Sequence, residues 1–152
     1  MFRRLALAAA VAAVALPTLA SAEEVDPNVH ARQALMDLYA YNLGVIGGMA
    51  QGRMAYDADL AASAATSLYH LARSGSARMW AEGTDNMSMD GTRALPAIWD
   101  NMPDFAARAG ALRDATEAMM NAAGTDLAAL QAAMGPLGAA CGGCHQTYRQ
   151  PQ

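Results

Sequence analysis

The sequence predicts an all-α protein folded as an antiparallel four-helix bundle. Three observations lead there. Apolar residues recur every three to four positions in four separate stretches, the period at which side chains share one face of a helix. Hydrophobic residues make up 54% of the chain but aromatics only 6%. Much of the difference is alanine, which loses no side-chain entropy on entering a helix. No stretch alternates with the period of two that marks a strand, and no internal repeat is found. At 152 residues the chain has the length of one domain and can bury a core.

The first element is an address. Met1-Phe2-Arg3-Arg4 is followed by an apolar run over residues 5–16 and then by Ala20-Ser21-Ala22. A positive start, a short apolar stretch and an A-x-A site mark a secretory signal peptide. The run is shorter than the roughly 20 residues that span a bilayer. Cleavage after Ala22 leaves a mature domain over 23–152, destined for the bacterial periplasm, and no other segment is expected to cross a membrane.

The first helical pattern covers about 28–51, with Leu35, Leu38, Asn42, Ile46 and Met49 as its stripe and Gly52 as its stop. The second covers about 57–73. Asp57 is its candidate N-cap, and Leu60, Ala64, Ser67, Leu68 and Leu71 form its stripe. A loop over 74–93, rich in Gly, Ser, Asp and Thr, follows. The third pattern starts near Pro96 and runs to about 121–124. Its stripe is Ile98, Met102, Phe105, Ala109, Leu112, Thr116 and Met119, a heptad seam with a break expected at Pro103. The fourth starts at Thr125, a candidate cap, and carries Leu127, Leu130, Met134, Leu137, Cys141, Cys144 and Tyr148. Gly135-Pro136 is expected to bend it. Four amphipathic helices with one long middle connection make a bundle.

The chemistry is concentrated in Cys141-Gly142-Gly143-Cys144-His145. C-x-x-C-H is the attachment motif of a c-type haem. Residues three apart share a helix face, so both thiols reach the two vinyl groups of one haem, and His145 ligates its iron. A thioredoxin-like redox pair needs a βαβ setting, and the sequence holds no strand. A zinc site needs about four ligands, and only His30 and His70 remain to supply imidazoles. His30 is expected to be exposed and His70 exposed or half-buried, while Trp80 and Trp99 read as packing residues. Both cysteines lie on the seam, which places the haem within the bundle.

With this motif near the C-terminus, followed by Tyr148 and Arg149, the mature chain resembles the class II c-type cytochromes, the cytochrome c' family. Arg32-Gln33-Ala34-Leu35-Met36 is similar to a family segment in the first helix. There the Arg and Gln contact a haem propionate and the last residue covers the distal face of the iron. The resemblance therefore implies Arg32 and Gln33 at a propionate and Met36 on the distal face, as a packing group or a sixth ligand. Gly83-Thr84-Asp85 resembles a family segment over the haem edge, and so implies Thr84 and Asp85 there. Leu95-Pro96-Ala97-Ile98-Trp99 is also family-like.

The ten basic residues are all arginine, and fourteen acids give a formal charge of −4. Loss of Arg3 and Arg4 with the signal leaves eight arginines and a charge of −6. An acidic domain repels nucleic acid. No nucleophile elbow, phosphate loop or His-Glu metal motif appears, so no enzyme activity is expected. The expectation is one-electron transfer by a single covalent haem c, with periplasmic redox proteins as partners. The alternative is a five-coordinate haem that binds nitric oxide or carbon monoxide. Many relatives form homodimers through the first two helices; Tyr41 and Val45, off the main stripe, suit such an interface, and a monomer is equally ordinary.

Overall fold

The computed structural model describes residues 26–151, so the expected signal peptide over 1–22 lies outside the described residues. The elements are α1 (Pro27–Ala50), α2 (Ala58–Leu71), α3 (Ala97–Asp100), α4 (Met102–Ala123) and α5 (Leu127–Tyr148), with a 3-10 turn at Ser76–Met79 in the long connection.

The long helices start at short polar side chains. Asp26 accepts from the amides of Asn28 and Val29, at 2.8 and 3.2 Å, with Pro27 in the first turn. Asp57 accepts from Leu60 N at 2.9 Å and Asn101 from Asp104 N at 3.4 Å. Each satisfies a backbone donor that the first turn leaves without a partner. The fourth long helix is capped by Asp126, which accepts from Ala129 N at 2.8 Å. Thr125, the expected cap, lies exposed in the preceding turn.

The break expected at Pro103 falls two residues earlier, at Asn101, where φ is −139°. Proline lacks an N–H and suits a first turn, where that donor would be idle, so Pro103 begins α4 and leaves α3 as a single turn. The Gly135-Pro136 pair does not interrupt α5.

Hydrogen bonds between helix ends set the antiparallel order. Tyr56 Oη, ahead of α2, donates to the Ala123 carbonyl at the end of α4 (2.9 Å), and Gln131 Nε2 donates to Ala50 O (2.8 Å). At the opposite end Arg108 Nη1 reaches Gly143 O (2.6 Å). The long helices thus form a closed ring, α1–α2–α4–α5, in which α4 and α5 pair most extensively and α1 and α5 least.

The main core joins Leu35, Tyr39, Ile46, Met49, Ala61, Ala64, Ala65, Leu68, Met119, Leu130 and Leu137. The predicted stripes are right in phase and wrong at their edges. Leu38 is 50% exposed while Tyr39 is buried; in α2, Leu60 is exposed and Ala61 and Ala65 fill the contact. Small alanines let α2 approach its neighbours closely, which pushes the longer leucine outward. Met102 is also exposed. Val45 packs against the core, and Tyr41 is 72% exposed.

By length and hydropathy α5 meets the bare criterion for a membrane-crossing helix, contrary to expectation. Its hydropathy comes largely from Leu and Ala. In the fold it is a bundle helix that buries Leu130, Leu137 and Tyr148 against its neighbours.

Candidate functional site

The motif sits on the last two turns of α5, at the end of the bundle formed with the start of α1, the long connection and the start of α4. Cys141 and Cys144 are free thiols, three apart and half-buried. Cys144 packs against a second apolar cluster of Ala94, Ile98, Phe105 and Tyr148, edged by Trp80, Ala97 and Trp99. The two tryptophans are therefore packing residues, as expected. Burial pushes both thiols up from their ordinary value. That is the reverse of a redox-active dithiol, whose attacking sulfur is held low to form thiolate. Burial pushes His145 down, assisted by the charges of Arg149 and Arg93. This favours the neutral imidazole, the form that ligates metal. His30 and His70 are exposed, and among the described residues no set of three or more His, Cys, Asp or Glu side chains is gathered as a metal site.

Tyr39 of α1 belongs to the main core. It is buried, and its phenol is pushed up to about 12, chiefly by burial and then by nearby Cys141. Met36, one turn earlier on α1, is 39% exposed and is not part of the core. The donor set fits a haem c: two thiols on one helix face and an adjacent imidazole shifted towards its neutral form.

Arg32 and Gln33 both reach from α1 to the long connection. Arg32 is only 4% exposed. Its Nη1 donates to Thr84 Oγ1 at 2.7 Å and to Met79 O at 3.3 Å; its Nη2 donates to Thr92 Oγ1 at 2.7 Å and to the Thr84 carbonyl. All four terminal N–H groups are engaged, and Nε–H alone remains. The guanidinium also lies 5.0 Å from the Trp80 ring centroid. Burial lowers its pKa, opposed by Asp26 and Asp85. Gln33 Nε2 donates to Gly91 O at 2.6 Å. Both side chains therefore grip the long loop.

Thr84 is part of this network, and Asp85 follows it in the loop. Thr84 is buried, accepts from Arg32, and donates to Ala81 O at 2.7 Å. Asp85 caps its own turn, accepting from Met87 N (2.8 Å), Ser88 N (3.0 Å) and Ser88 Oγ (2.7 Å), and the Ser88 bond leads in holding its carboxyl below the ordinary range.

Two groups escape the sequence reading. Thr92, buried under Arg32, is one polar residue among many in a loop and carries no signal. The second is a trio, Asp104, Arg108 and Tyr148. Arg108 Nε and Tyr148 Oη both donate to Asp104 Oδ2 at 2.6 Å, and Arg108 Nη1 donates to the motif's Gly143 carbonyl. Its only trace in the sequence is the i,i+4 spacing of Asp104 and Arg108. Behind the motif, the chain leaving α5 is pinned: Leu95 N donates to Tyr148 O (3.0 Å) and Gln150 N to Arg93 O (2.9 Å).

The family model described as Cytochrome C' matches residues 27–149. The chain is 44% identical over 146 residues to cytochrome c-554 of Cereibacter sphaeroides, covering 95% of each. It is 36% identical over 147 residues to cytochrome c' of the same organism, covering 97% of each. Among solved structures, a cytochrome c' from Rhodobacter spheriodes superposes with a TM-score of 0.80 at 34% identity, covering 82% of this chain and 96% of that one. A nitric oxide complex of a mutant cytochrome c prime from Alcaligenes xylosoxidans superposes with a TM-score of 0.71 at 30% identity, covering 82% and 94%.

Proposed function

The chain belongs to the cytochrome c' family, whose cofactor is one covalent haem c, and on that premise we propose that it is a periplasmic carrier of single electrons. The observation that carries this reading is the half-buried Cys141-x-x-Cys144-His145 constellation on the last turns of α5. Haem c supplies the one-electron Fe(II)/Fe(III) couple when bound. In this reading Cys141 and Cys144 hold it through thioethers and His145 is the proximal axial ligand. Arg32 serves it through its remaining Nε–H and through the loop it anchors, with Gln33 beside it. Thr84 and Asp85 stiffen the loop at the haem edge. The 44% identical relative bears the name of a numbered cytochrome, c-554, and the partners of such a carrier are other periplasmic redox proteins met through transient contacts.

A second reading is favoured by one observation, the exposure of Met36. A methionine that is not locked into the core can bind a metal or stand beside it. As a sixth ligand it closes the iron and raises the potential. As a distal wall it leaves a site for a small gas, and a 30% identical relative has been captured with nitric oxide. The homodimer is the partner proposal that belongs with this reading, through the first two helices, with Tyr41 exposed on α1.

The optical spectrum of the matured protein, oxidised and reduced, with and without carbon monoxide, tests the choice. Sharp low-spin bands indifferent to the gas establish Met36 ligation and a plain carrier. A broad high-spin spectrum that changes with the gas overturns Met36 ligation and establishes the open site.

A further inference from the structure

The Asp104–Arg108–Tyr148 trio lies outside the ligand set, yet it touches the motif directly. Arg108 Nη1 donates to Gly143 O at 2.6 Å, between the two cysteines. Its Nε donates at 2.6 Å to Asp104 Oδ2, which also receives the Tyr148 hydroxyl at 2.6 Å. The guanidinium carbon stands 5.5 Å from the Tyr148 ring centroid, and that ring stacks edge-on with Phe105 at 5.4 Å. One side chain thus spans from a carboxylate on α4 to a carbonyl of the motif, held by an aromatic platform. The ion pair is directional. Its cationic end is bonded to the Gly143 carbonyl inside the motif, and its anionic end to the Tyr148 hydroxyl, one turn beyond Cys144 on the same helix.

We propose that the Asp104–Arg108 pair is a fixed dipole that sets the reduction potential of the haem carried by this motif, with Arg108 as a positioning residue for Gly143. This rests on the haem reading above. Oxidised iron carries one more positive charge than reduced iron. A guanidinium at the motif therefore disfavours the oxidised state and raises the potential, while the carboxylate behind it subtracts part of that effect. The guanidinium is bonded to the motif itself and the carboxylate to a residue beyond it, so in this proposal the two charges do not cancel.

The two charges make opposite predictions, which a merely structural role does not. Midpoint potentials are measured by redox titration of the haem-loaded proteins. Asp104→Asn leaves Arg108 uncompensated and shifts the potential up. Arg108→Gln leaves the carboxylate uncompensated and shifts it down, changing the redox equilibrium several-fold. Arg108→Lys retains the charge and stays nearer the parent than Arg108→Gln, and the double variant Asp104→Asn/Arg108→Gln lies between the two single variants. Shifts of the same sign in the two single variants, or no shift in either, overturn the proposal. Should one single variant fail to load haem, the double variant and Tyr148→Phe decide. Tyr148→Phe strips a donor from the carboxylate and must lower the potential; an upward shift overturns the proposal. A parent without covalent haem overturns the haem reading itself, which the pyridine haemochrome spectrum reports separately.

Discussion

The two ends of the bundle are built by different rules. At the end where α1 meets α2 and α4 meets α5, the core is apolar and closed. Ile46, Met49, Ala61, Ala65, Met119, Ala123 and Leu130 are fully or almost fully buried, and connections are short. Gly124 shows how tight the packing is, since a Cβ there would lie 3.0 Å from the Cβ of Ala62. At the other end the interior holds a guanidinium, two threonines, an aspartate and two half-buried thiols, wrapped by a long loop. The first end is stabilised by area removed from water. The second is held by directional bonds to groups that would be costly to leave unpaired. The closed end supplies rigidity, and the motif end converts it into fixed positions for reactive atoms.

Substitutions at the two ends should therefore fail differently. The largest effect expected is at the motif. Replacing Cys141 and Cys144 together by Ser abolishes covalent haem, read as loss of haem staining after denaturation, and His145→Ala removes the proximal ligand and changes the visible spectrum of any haem retained. A closed-end truncation such as Leu130→Ala costs about 2–5 kcal/mol of unfolding free energy, measured by denaturant titration, and leaves the haem spectrum of the folded fraction unchanged. Arg32→Ala leaves Thr84, Thr92 and two carbonyls without their donor. It costs about 2–4 kcal/mol, and hydrogen exchange rises over the loop 79–92 and not in α2. A spread of exchange over the whole bundle would break the comparison, because it would make the loop network part of the main core.

The smaller effects sharpen it. Asp104 is held below its ordinary value of 3.8, first by the Tyr148 hydrogen bond and then by Arg108. A carboxylate with a depressed folded pKa contributes stability that is fully present above the unfolded value. That stability is lost as pH falls through the folded value. As pH falls through 3.8 and below, the native protein should lose more denaturant resistance than Asp104→Asn does, measured by the shift in unfolding midpoint. The smallest change is Gly124→Ala, about 1 kcal/mol of overpacking at the closed end, with no effect at the motif.

The closed end was largely legible in the sequence and the motif end only in part. Periodicity located all four long helices, because burial of a continuous apolar face leaves a repeated mark. It erred at Leu38 and Leu60, where the leucine is the more apolar residue and the neighbouring Tyr39 or Ala61 fits the contact better. Cys141, Cys144 and His145 were legible because a covalent two-point attachment dictates the spacing. Arg32 stands out in the sequence, but its partners do not. Thr84 and Thr92 come to it from 52 and 60 residues away, and no local pattern encodes such a meeting. The Arg108 link to Gly143 was missed for the same reason, since a backbone carbonyl has no sequence signature.

The most direct test of the central claim is the intact mass of the protein matured in a periplasm, taken after denaturation and thiol alkylation. The account predicts one haem mass added to the chain and no alkylated cysteine. A chain without the adduct, with Cys141 and Cys144 both alkylated, would contradict it.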